Sequence, residues 1–216
     1  MIKDSDSSPT PLSVNAPFDD TSHLKQERAV RTRRAILDAA AEVFADRGYP
    51  NVTIKDIADS ASMTKGAVYF HFSNKEAIAV AVVEELYRRL NHAIAPALAG
   101  ERTSPATVAD VLLHTARGFR DDPYIEAGAR LQIERPHIKV ELPVPYIEYE
   151  GLLAELLEEC RAAGNLAVSI APGALARVLV AALFGAQHIS WVQSERADVV
   201  ERVEELVQAV GLPLPS

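Results

Sequence analysis

Apolar residues recur with the spacing of an α-helix along almost the whole chain from Lys25 onward. The first such segment places four of them on one helix face, namely Ile36, Ala40, Val43 and Phe44. No stretch shows the alternation of apolar and polar side chains that is typical of a half-buried β-strand. With 48% hydrophobic residues in a chain of 216, a sizeable core can be buried. The sequence therefore predicts an all-α fold.

Several classes of protein do not fit this sequence. Its longest apolar stretch, residues 178–186, is far shorter than the roughly 20 residues that cross a bilayer. Residues 1–4 contain no apolar signal region. The single cysteine, Cys160, cannot form an intrachain disulfide or a cysteine-based metal site. We expect a cytoplasmic protein with no membrane partner, no metal and no cofactor.

The formal net charge of -8 hides a basic segment near the N-terminus. Residues 25–75 carry nine basic and six acidic side chains, whereas the segments on both sides are acidic. Within it, residues 25–34 hold five bases against one acid, a density that suits contacts with phosphates. A solvated helix face is the alternative explanation of such a charge run.

The chain divides into a tail and two helical domains. Residues 1–24 are rich in Ser, Pro and Asp, and they bury too little apolar surface to offset their ordering entropy. We predict a disordered tail over 1–24, a basic helical domain over 25–73 and a second helical domain over 74–211, whose functions are predicted from the motifs described below.

Helix boundaries are marked by capping residues and glycines. Ser73 and Glu76 have capping-box spacing at the start of a long helix, and Pro105 and Pro123 each follow a capping residue. Helix ends are predicted at three glycines, Gly48, Gly164 and Gly211. The helix over residues 173–191 is apolar on nearly every side, so it needs burial on every side. We therefore predict a homodimer formed by the last two helices.

Two short helices joined by a tight turn lie inside the basic segment. One begins at Thr53 with Asp56 as its capping-box partner, and the next begins at Thr64. The small residue Ala58 falls where the two helices cross. This is the pattern of a helix-turn-helix, whose second helix enters the major groove of DNA.

The polar face of the second short helix carries the candidate DNA contacts. Lys65 and Tyr69 have no place in its apolar stripe, and Gly66 permits a close backbone approach. Donors nearby can hold phosphates. The predicted DNA-binding residues are Lys25, Arg28, Arg31, Thr53, Thr64, Lys65, Gly66, Tyr69, His71 and Lys75.

The segment TKGAVYFHF at residues 64–72, with TIKDIA at 53–58 and RAILDAA at 34–40, resembles the DNA-binding domain of TetR-family transcriptional repressors. The resemblance covers residues 28–76. Ser62 stands where the family usually has a glycine in the turn, and a left-handed serine there costs on the order of 1 kcal/mol.

Later segments resemble the γ-butyrolactone-type hormone receptors of actinobacteria; they are AGARL at 127–131, LPVPY at 142–146 and GAQH at 185–188. The resemblance implies an effector inside the C-terminal domain, with its polar head held by Tyr87, Gln132 and Tyr146. Tyr149 falls where these receptors commonly carry a tryptophan, which favours a furan or butenolide over a γ-butyrolactone. Ordinary residues at the edge of the core are the alternative for each of these positions.

Three other functions are weighed against a hormone-responsive repressor. An enzyme is not expected, because G-x-S-x-G, P-loop and H-E-x-x-H motifs are missing and the six histidines are scattered. A multidrug-sensing repressor would favour a wide aromatic cavity, and aromatic residues make up 6% of the chain. A hormone-insensitive pseudo-receptor is the third alternative.

The expected partners are a double-stranded DNA operator, a small effector and a second copy of the chain. His114, Arg130 and Trp191 are weaker candidates for ligand contact, since packing or surface roles suit them better.

Overall fold

Nine α-helices and two short 3-10 helices make up the part of the chain that the computed structural model describes, residues 20–144, 146–166 and 169–215. The α-helices are α1 (Asp20–Arg47), α2 (Ile54–Ser60), α3 (Lys65–His71), α4 (Lys75–Leu98), α5 (Pro105–Asp121), α6 (Pro123–Ile133), α7 (Ile147–Ala162), α8 (Pro172–Ser194) and α9 (Val199–Ala209). The 3-10 turns are Tyr49–Asn51 and Arg135–His137. The predicted all-α fold is confirmed.

Side-chain caps explain why the helices of the first domain begin where they do. Thr53 and Asp56 form the predicted capping box of α2, and the Thr64 hydroxyl accepts the Ala67 amide at the start of α3. The predicted capping box at the start of α4 is wrong. The cap is Asn74, whose side chain accepts the amide of Ala77 at 2.8 Å.

The glycine that ends α1 satisfies two requirements at once. Gly48 has a φ of 76°, a left-handed conformation that costs glycine little. A Cβ atom there would also lie 2.8 Å from the guanidinium of Arg130 on α6. Gly164 and Gly211, the other predicted helix ends, have φ values of 75° and 76°.

The N-terminal end of α1 differs from the sequence prediction. The helix begins at Asp20, so it includes the last five residues of the tail predicted to be disordered over 1–24. Residues 1–19 lie outside the described part of the chain. Helix α1 therefore begins about one turn before the boundary that the composition of the tail indicated.

The hydrophobic core joins the two predicted domains. The cluster around α1, α2 and α3 includes Val82 of α4 and Leu131 of α6, both fully buried. A second cluster lies among α5, α7, α8 and α9. On α6, Gly128 allows close packing on α4, since a Cβ there would lie 2.5 Å from the Cβ of Leu86. Helices α4 and α6 thus connect the basic N-terminal bundle to the rest of the molecule.

Helix α8 is not buried on every side within a single copy of the chain, as the dimer prediction assumed. One side packs against α7 and α9, whereas Val178, Ile189 and Val192 are exposed. By length and mean hydropathy alone, α8 is long and apolar enough to cross a membrane. Core helices of globular proteins meet the same two criteria, and the packing on α7 and α9 is of that kind.

Candidate DNA interface and ligand cavity

Helices α2 and α3 form a helix-turn-helix. Ala58 is buried where they meet, and its carbonyl accepts the amide of Met63 at 2.8 Å across the turn. Ser62 has a φ of 54°, so it occupies the left-handed position for which glycine is usual. The turn geometry is thus kept without the glycine.

The outer face of α3 presents the predicted DNA contacts to solvent. Val68 is fully buried and anchors the helix, while Lys65, Gly66 and Tyr69 are exposed. The hydroxyl of Thr64 accepts one backbone N–H, which leaves its own hydrogen available to a phosphate oxygen. His71, at the end of α3, is half-buried.

Phe70 is a residue on this face that the sequence reasoning missed. Its side chain is 82% exposed, and its ring makes an edge-to-face contact with His71 at 5.1 Å. The signal was present in the spacing: Val68 lies two positions earlier, so Phe70 points to the opposite side of the helix. An exposed aromatic ring beside Tyr69 can contact thymine methyl groups or sugars.

The basic residues of α1 fall into two groups. Lys25, Arg28 and Arg31 are exposed, with Arg31 paired to Glu27 at 3.4 Å. Arg33 is also exposed and lies over the ring of Phe72 at 4.7 Å, whereas the half-buried Arg34 binds Glu85 and Asp38. The exposed cations can reach phosphates, and Arg34 is held within the protein.

Two of the predicted phosphate contacts have other roles. Thr53 donates from its amide and its hydroxyl to Asp56, at 2.8 and 2.5 Å, so a carboxylate already occupies the start of α2. Lys75 donates to the carbonyl oxygens of Tyr49 and Val52, both at 2.8 Å, and its ammonium lies over the Tyr49 ring. Burial lowers the pKa of Lys75. Both residues stabilise the domain through these contacts, and their binding to phosphates stays a prediction.

A cavity of about 520 Å³ lies behind this domain, between α4, α5, α6, α7 and α8. All four residues predicted to bind the ligand line it: Tyr87, Gln132, Tyr146 and Tyr149. Its apolar wall includes Leu86, Leu90, Ile94, Phe119, Leu152 and Phe184. A cavity of this size with a few converging polar groups suits a small organic ligand.

Gln132 and Tyr87 form a polar pair in the wall of the cavity. The Gln132 amide nitrogen donates to the Tyr87 hydroxyl at 2.9 Å and to the Pro143 carbonyl oxygen at 3.0 Å. Because Tyr87 accepts in this bond, its own hydroxyl hydrogen is available to a ligand. Burial raises the pKa of Tyr87 to about 12, which keeps that hydrogen in place at neutral pH. The amide oxygen of Gln132 is buried and has no partner among the described residues.

The two tyrosines near the start of α7 differ in how they meet the cavity. Tyr146 has a φ of 74°, a left-handed conformation that is strained for a bulky residue, and its ring packs on Phe184 at 4.3 Å. The hydroxyl of Tyr149 is 2.8 Å from that of Thr115, which itself donates to Val111. Tyr149 therefore donates to Thr115 and offers the cavity mainly its ring.

The lining departs from the sequence expectation in two ways. Five aromatic side chains contribute, more than the low aromatic content indicated. Gln187 of α8 also lines the cavity and is buried; no sequence signal distinguishes it from the other polar residues of α8. The charged residues in the lining are both acidic, Glu84 and Glu148.

Helix α6 ties this cavity to the DNA-binding domain. At its beginning, the Tyr124 hydroxyl donates to Asp38 of α1 at 2.7 Å. Near its end, Arg130 donates to the carbonyl oxygens of Ala45 and Asp46, and Glu134 accepts the amide of Tyr49. Gln132 lies between these contacts. Arg130 thus has a packing role at the domain junction rather than a place in the ligand site.

Comparison with known proteins supports the helix-turn-helix assignment. The family model for bacterial regulatory proteins of the TetR family matches residues 36–82. The A-factor receptor protein of Streptomyces griseus is 36% identical over 182 residues, which cover 84% of this chain and 63% of that protein. The match thus spans somewhat less than two thirds of that relative.

Two solved structures extend the similarity across both domains. One, solved to explain how bacterial hormones control antibiotic production, is 48% identical, with a TM-score of 0.75 over 84% of this chain and 96% of its own. A γ-butyrolactone receptor, described as ArpA-like, is 27% identical, with a TM-score of 0.66 over 85% of this chain and 100% of its own. The chain therefore belongs to the TetR family of transcription regulators, which are not enzymes, and within it to the subgroup of the A-factor and γ-butyrolactone receptors.

Proposed function

We propose that the protein is a repressor that binds a pseudo-palindromic operator as a homodimer and is released by a small signalling molecule controlling specialised metabolism. The effector is of the furan, butenolide or γ-butyrolactone type. The observation that carries this proposal is the cavity of about 520 Å³, where the Tyr87–Gln132 pair faces an apolar wall behind the helix-turn-helix.

The exposed face of α3 supports the DNA-binding part of the proposal. Lys65 and Tyr69 project from it, and the exposed cations of α1 supply phosphate contacts. The overall negative charge of the chain does not oppose this, because the basic residues are concentrated in the segment that would face DNA.

The exposed apolar stripe of α8 supports the homodimer. Val178, Ile189 and Val192 lie on one side of the helix and are 46%, 46% and 70% exposed. A second copy related by a two-fold axis would cover the stripe with its own α8 and α9. The two recognition helices would then lie about 34 Å apart, or a multiple of that, and would require an inverted repeat.

The cavity favours an uncharged head group attached to an apolar chain. Tyr87 can donate to a ring or carbonyl oxygen, while Phe119 and Phe184 can pack on the chain. The acidic side chains of Glu84 and Glu148 disfavour a negative charge beside them. The sequence resembles the methylenomycin furan receptor, so we take a furan as the first candidate.

Release requires the effector to bind the DNA-free conformation more tightly than the DNA-bound one. Tyr87 lies on α4, which begins at Lys75 beside α3, and Gln132 lies on α6, which is bonded to α1. A ligand that binds both side chains therefore contacts two helices that position the helix-turn-helix. Movement of these helices would change the separation of the two recognition helices in the dimer.

The test is operator selection followed by release. We expect the protein to retain one inverted repeat from a randomised library in gel retardation, and expect furans, butenolides or γ-butyrolactones with alkyl chains to abolish the retarded band. Release by many unrelated aromatic compounds would indicate a multidrug sensor. Retention of the band with every compound would indicate a pseudo-receptor.

A further inference from the structure

Gln187 is a buried polar side chain in the cavity that the proposed head-group site does not use. It belongs to α8, has an exposed fraction of 3%, and lines the cavity together with Phe184. Its amide oxygen accepts from the guanidinium of Arg196 at 3.5 Å. Its amide nitrogen has no hydrogen-bond partner within residues 20–144, 146–166 and 169–215.

Arg196 fixes which end of this amide faces the cavity. A guanidinium can only donate, so the amide oxygen of Gln187 must face it and the NH₂ group must point elsewhere. Arg196 is itself 97% buried and bound to Glu126 of α6 at 2.6 Å. It also follows Glu195 in a turn where both residues have positive φ, 52° and 67°. Such a backbone persists only where its surroundings hold it in place, so the orientation of the guanidinium is imposed by the fold.

Gln187 and the Tyr87–Gln132 pair lie on different helices of the cavity wall, Gln187 on α8 and the pair on α4 and α6. Glu126, which holds Arg196, lies six residues before Gln132 on α6, about 9 Å along the helix axis. Ala129 of α6 and the ring of Phe184 on α8 line the same cavity. The cavity therefore offers one polar pair on α4 and α6, an apolar lining, and a second polar group on α8 that presents hydrogen-bond donors.

We infer that Gln187 binds a second oxygen of the effector, a carbonyl or hydroxyl oxygen on its alkyl chain, and so selects among effectors that share one head group. This inference rests on the proposed function and names a property of the same site. A chain of carbon alone would leave the NH₂ group of Gln187 facing apolar atoms, and an unpaired buried donor costs binding free energy. A correctly placed oxygen removes that cost.

The experiment compares effectors that differ in one oxygen. Furans and γ-butyrolactones with a hexyl chain are titrated calorimetrically against the full-length protein, each as the plain chain and with one keto oxygen at successive chain carbons. We expect one keto position to bind about three- to tenfold more tightly than the plain chain, the factor of one net hydrogen bond. Equal binding of all chains by the wild-type protein would overturn the inference.

Two variants test whether Gln187 reads that oxygen. Gln187→Glu keeps an oxygen for Arg196 and replaces the donor with an acceptor, and Gln187→Met removes the donor without adding charge. Both should lose the preference for the keto chain while binding the plain chain. Gln193→Glu is the matched control, since Gln193 is exposed on the same helix, and it should keep the preference. A preference retained in both Gln187 variants would contradict the inference.

Failure of the inference and failure of the proposed function give different results. If neither ring class binds the wild-type protein or releases the operator, the proposed function is wrong and the inference falls with it. If both bind and release, but no chain oxygen gives an advantage that depends on Gln187, the inference alone is wrong. Tyr87→Phe should weaken plain and keto chains by the same factor, which marks the head-group site as separate.

Discussion

Arg130 of α6 donates a hydrogen bond of 2.9 Å to the carbonyl oxygen of Asp46 in the last turn of α1. The last carbonyls of a helix have no partner within the helix, and a cation at that end also suits the helix dipole. Glu134, which is paired with Arg130 at 3.1 Å, accepts the amide of Tyr49 just beyond. One ion pair on the ligand-binding side therefore caps the first helix of the DNA-binding side.

Removing this cap should destabilise the protein. In Arg130→Met the α1 carbonyls lose their partner and Glu134 loses its cation, so we expect the free energy of unfolding to fall by about 1–3 kcal/mol. Urea denaturation measures the change. Arg161→Met is the control, because Arg161 makes an exposed pair with Glu158 and should change stability by less than about 0.5 kcal/mol. Equal effects of the two substitutions would show that Arg130 does not act as a cap.

Salt dependence should separate the two kinds of DNA contact. Lys25→Ala removes an exposed cation of α1, so it should weaken binding to all DNA sequences alike. The slope of log affinity against log salt concentration should fall by about one unit. Lys65→Ala, on α3, should in addition cost roughly 1–3 kcal/mol of discrimination between bases. Gel retardation with the operator and scrambled DNA at several salt concentrations gives both quantities. An unchanged sequence preference in Lys65→Ala would contradict its placement in the groove.

Ligand response should be lost without loss of DNA binding in three variants. Tyr87→Phe, Gln132→Ala and Tyr146→Phe each remove a polar group from the cavity and leave the basic segment unaltered. We expect operator affinity close to that of the wild type and release only at higher effector concentrations. Normal release in all three variants would place the effector elsewhere. Thr115→Val tests Tyr149 indirectly, because it leaves the Tyr149 hydroxyl without its partner inside the protein.

Acid should remove the contribution of one half-buried carboxylate, that of Glu85. Hydrogen bonds from Arg88, with those from Arg89 and Arg34, lower the pKa of Glu85 from its ordinary value of 4.5 to about 2. A lowered pKa in the folded state means that this stabilisation is complete above about pH 4.5 and is lost as the pH falls towards 2. Glu85→Gln should therefore be less stable than the wild type at pH 7, and the difference should shrink below pH 4.5. Urea midpoints across this range test it, with the exposed neighbour Glu84→Gln as control.

A charge on the exposed stripe of α8 should break the proposed dimer. In Val192→Asp a carboxylate would be buried without a partner in the interface, whereas in the monomer it would remain in water. We expect light scattering to give the mass of a dimer for the wild type and of a monomer for the variant at micromolar concentration. Glu201→Lys, on the exposed side of α9, alters charge without altering the stripe. A monomeric wild-type protein would exclude the proposed arrangement.

Local signals predicted most of the fold because the determinants are local. The Thr53–Asp56 box, the Thr64 cap and the stop at Gly48 depend on neighbouring residues and need no knowledge of tertiary contacts. The cap of α4 was misplaced by one residue, because Ser73 and Asn74 are both good caps and the choice between them is set by packing. Glu76, the expected partner of Ser73, binds Tyr49 instead.

Tertiary contacts account for what the sequence could not predict. Lys75 carries a charge typical of a phosphate contact, yet two carbonyl oxygens distant in sequence hold it. Nothing local distinguishes it from Lys65, which is exposed. Gln187 was missed for the converse reason, since its neighbours in sequence do not reveal that it faces a cavity.

Trp191 is the single tryptophan of the chain, and the guanidinium groups of Arg130 and Arg196 lie 5.2 and 5.3 Å from the centre of its ring. One of these cations caps α1 and the other orients Gln187. Indole emission responds to nearby charge, so any displacement of either cation should alter its wavelength or intensity. The protein therefore contains an intrinsic fluorophore beside the cation that caps α1 and the cation that contacts Gln187. Binding of an effector can be followed by its fluorescence without a label.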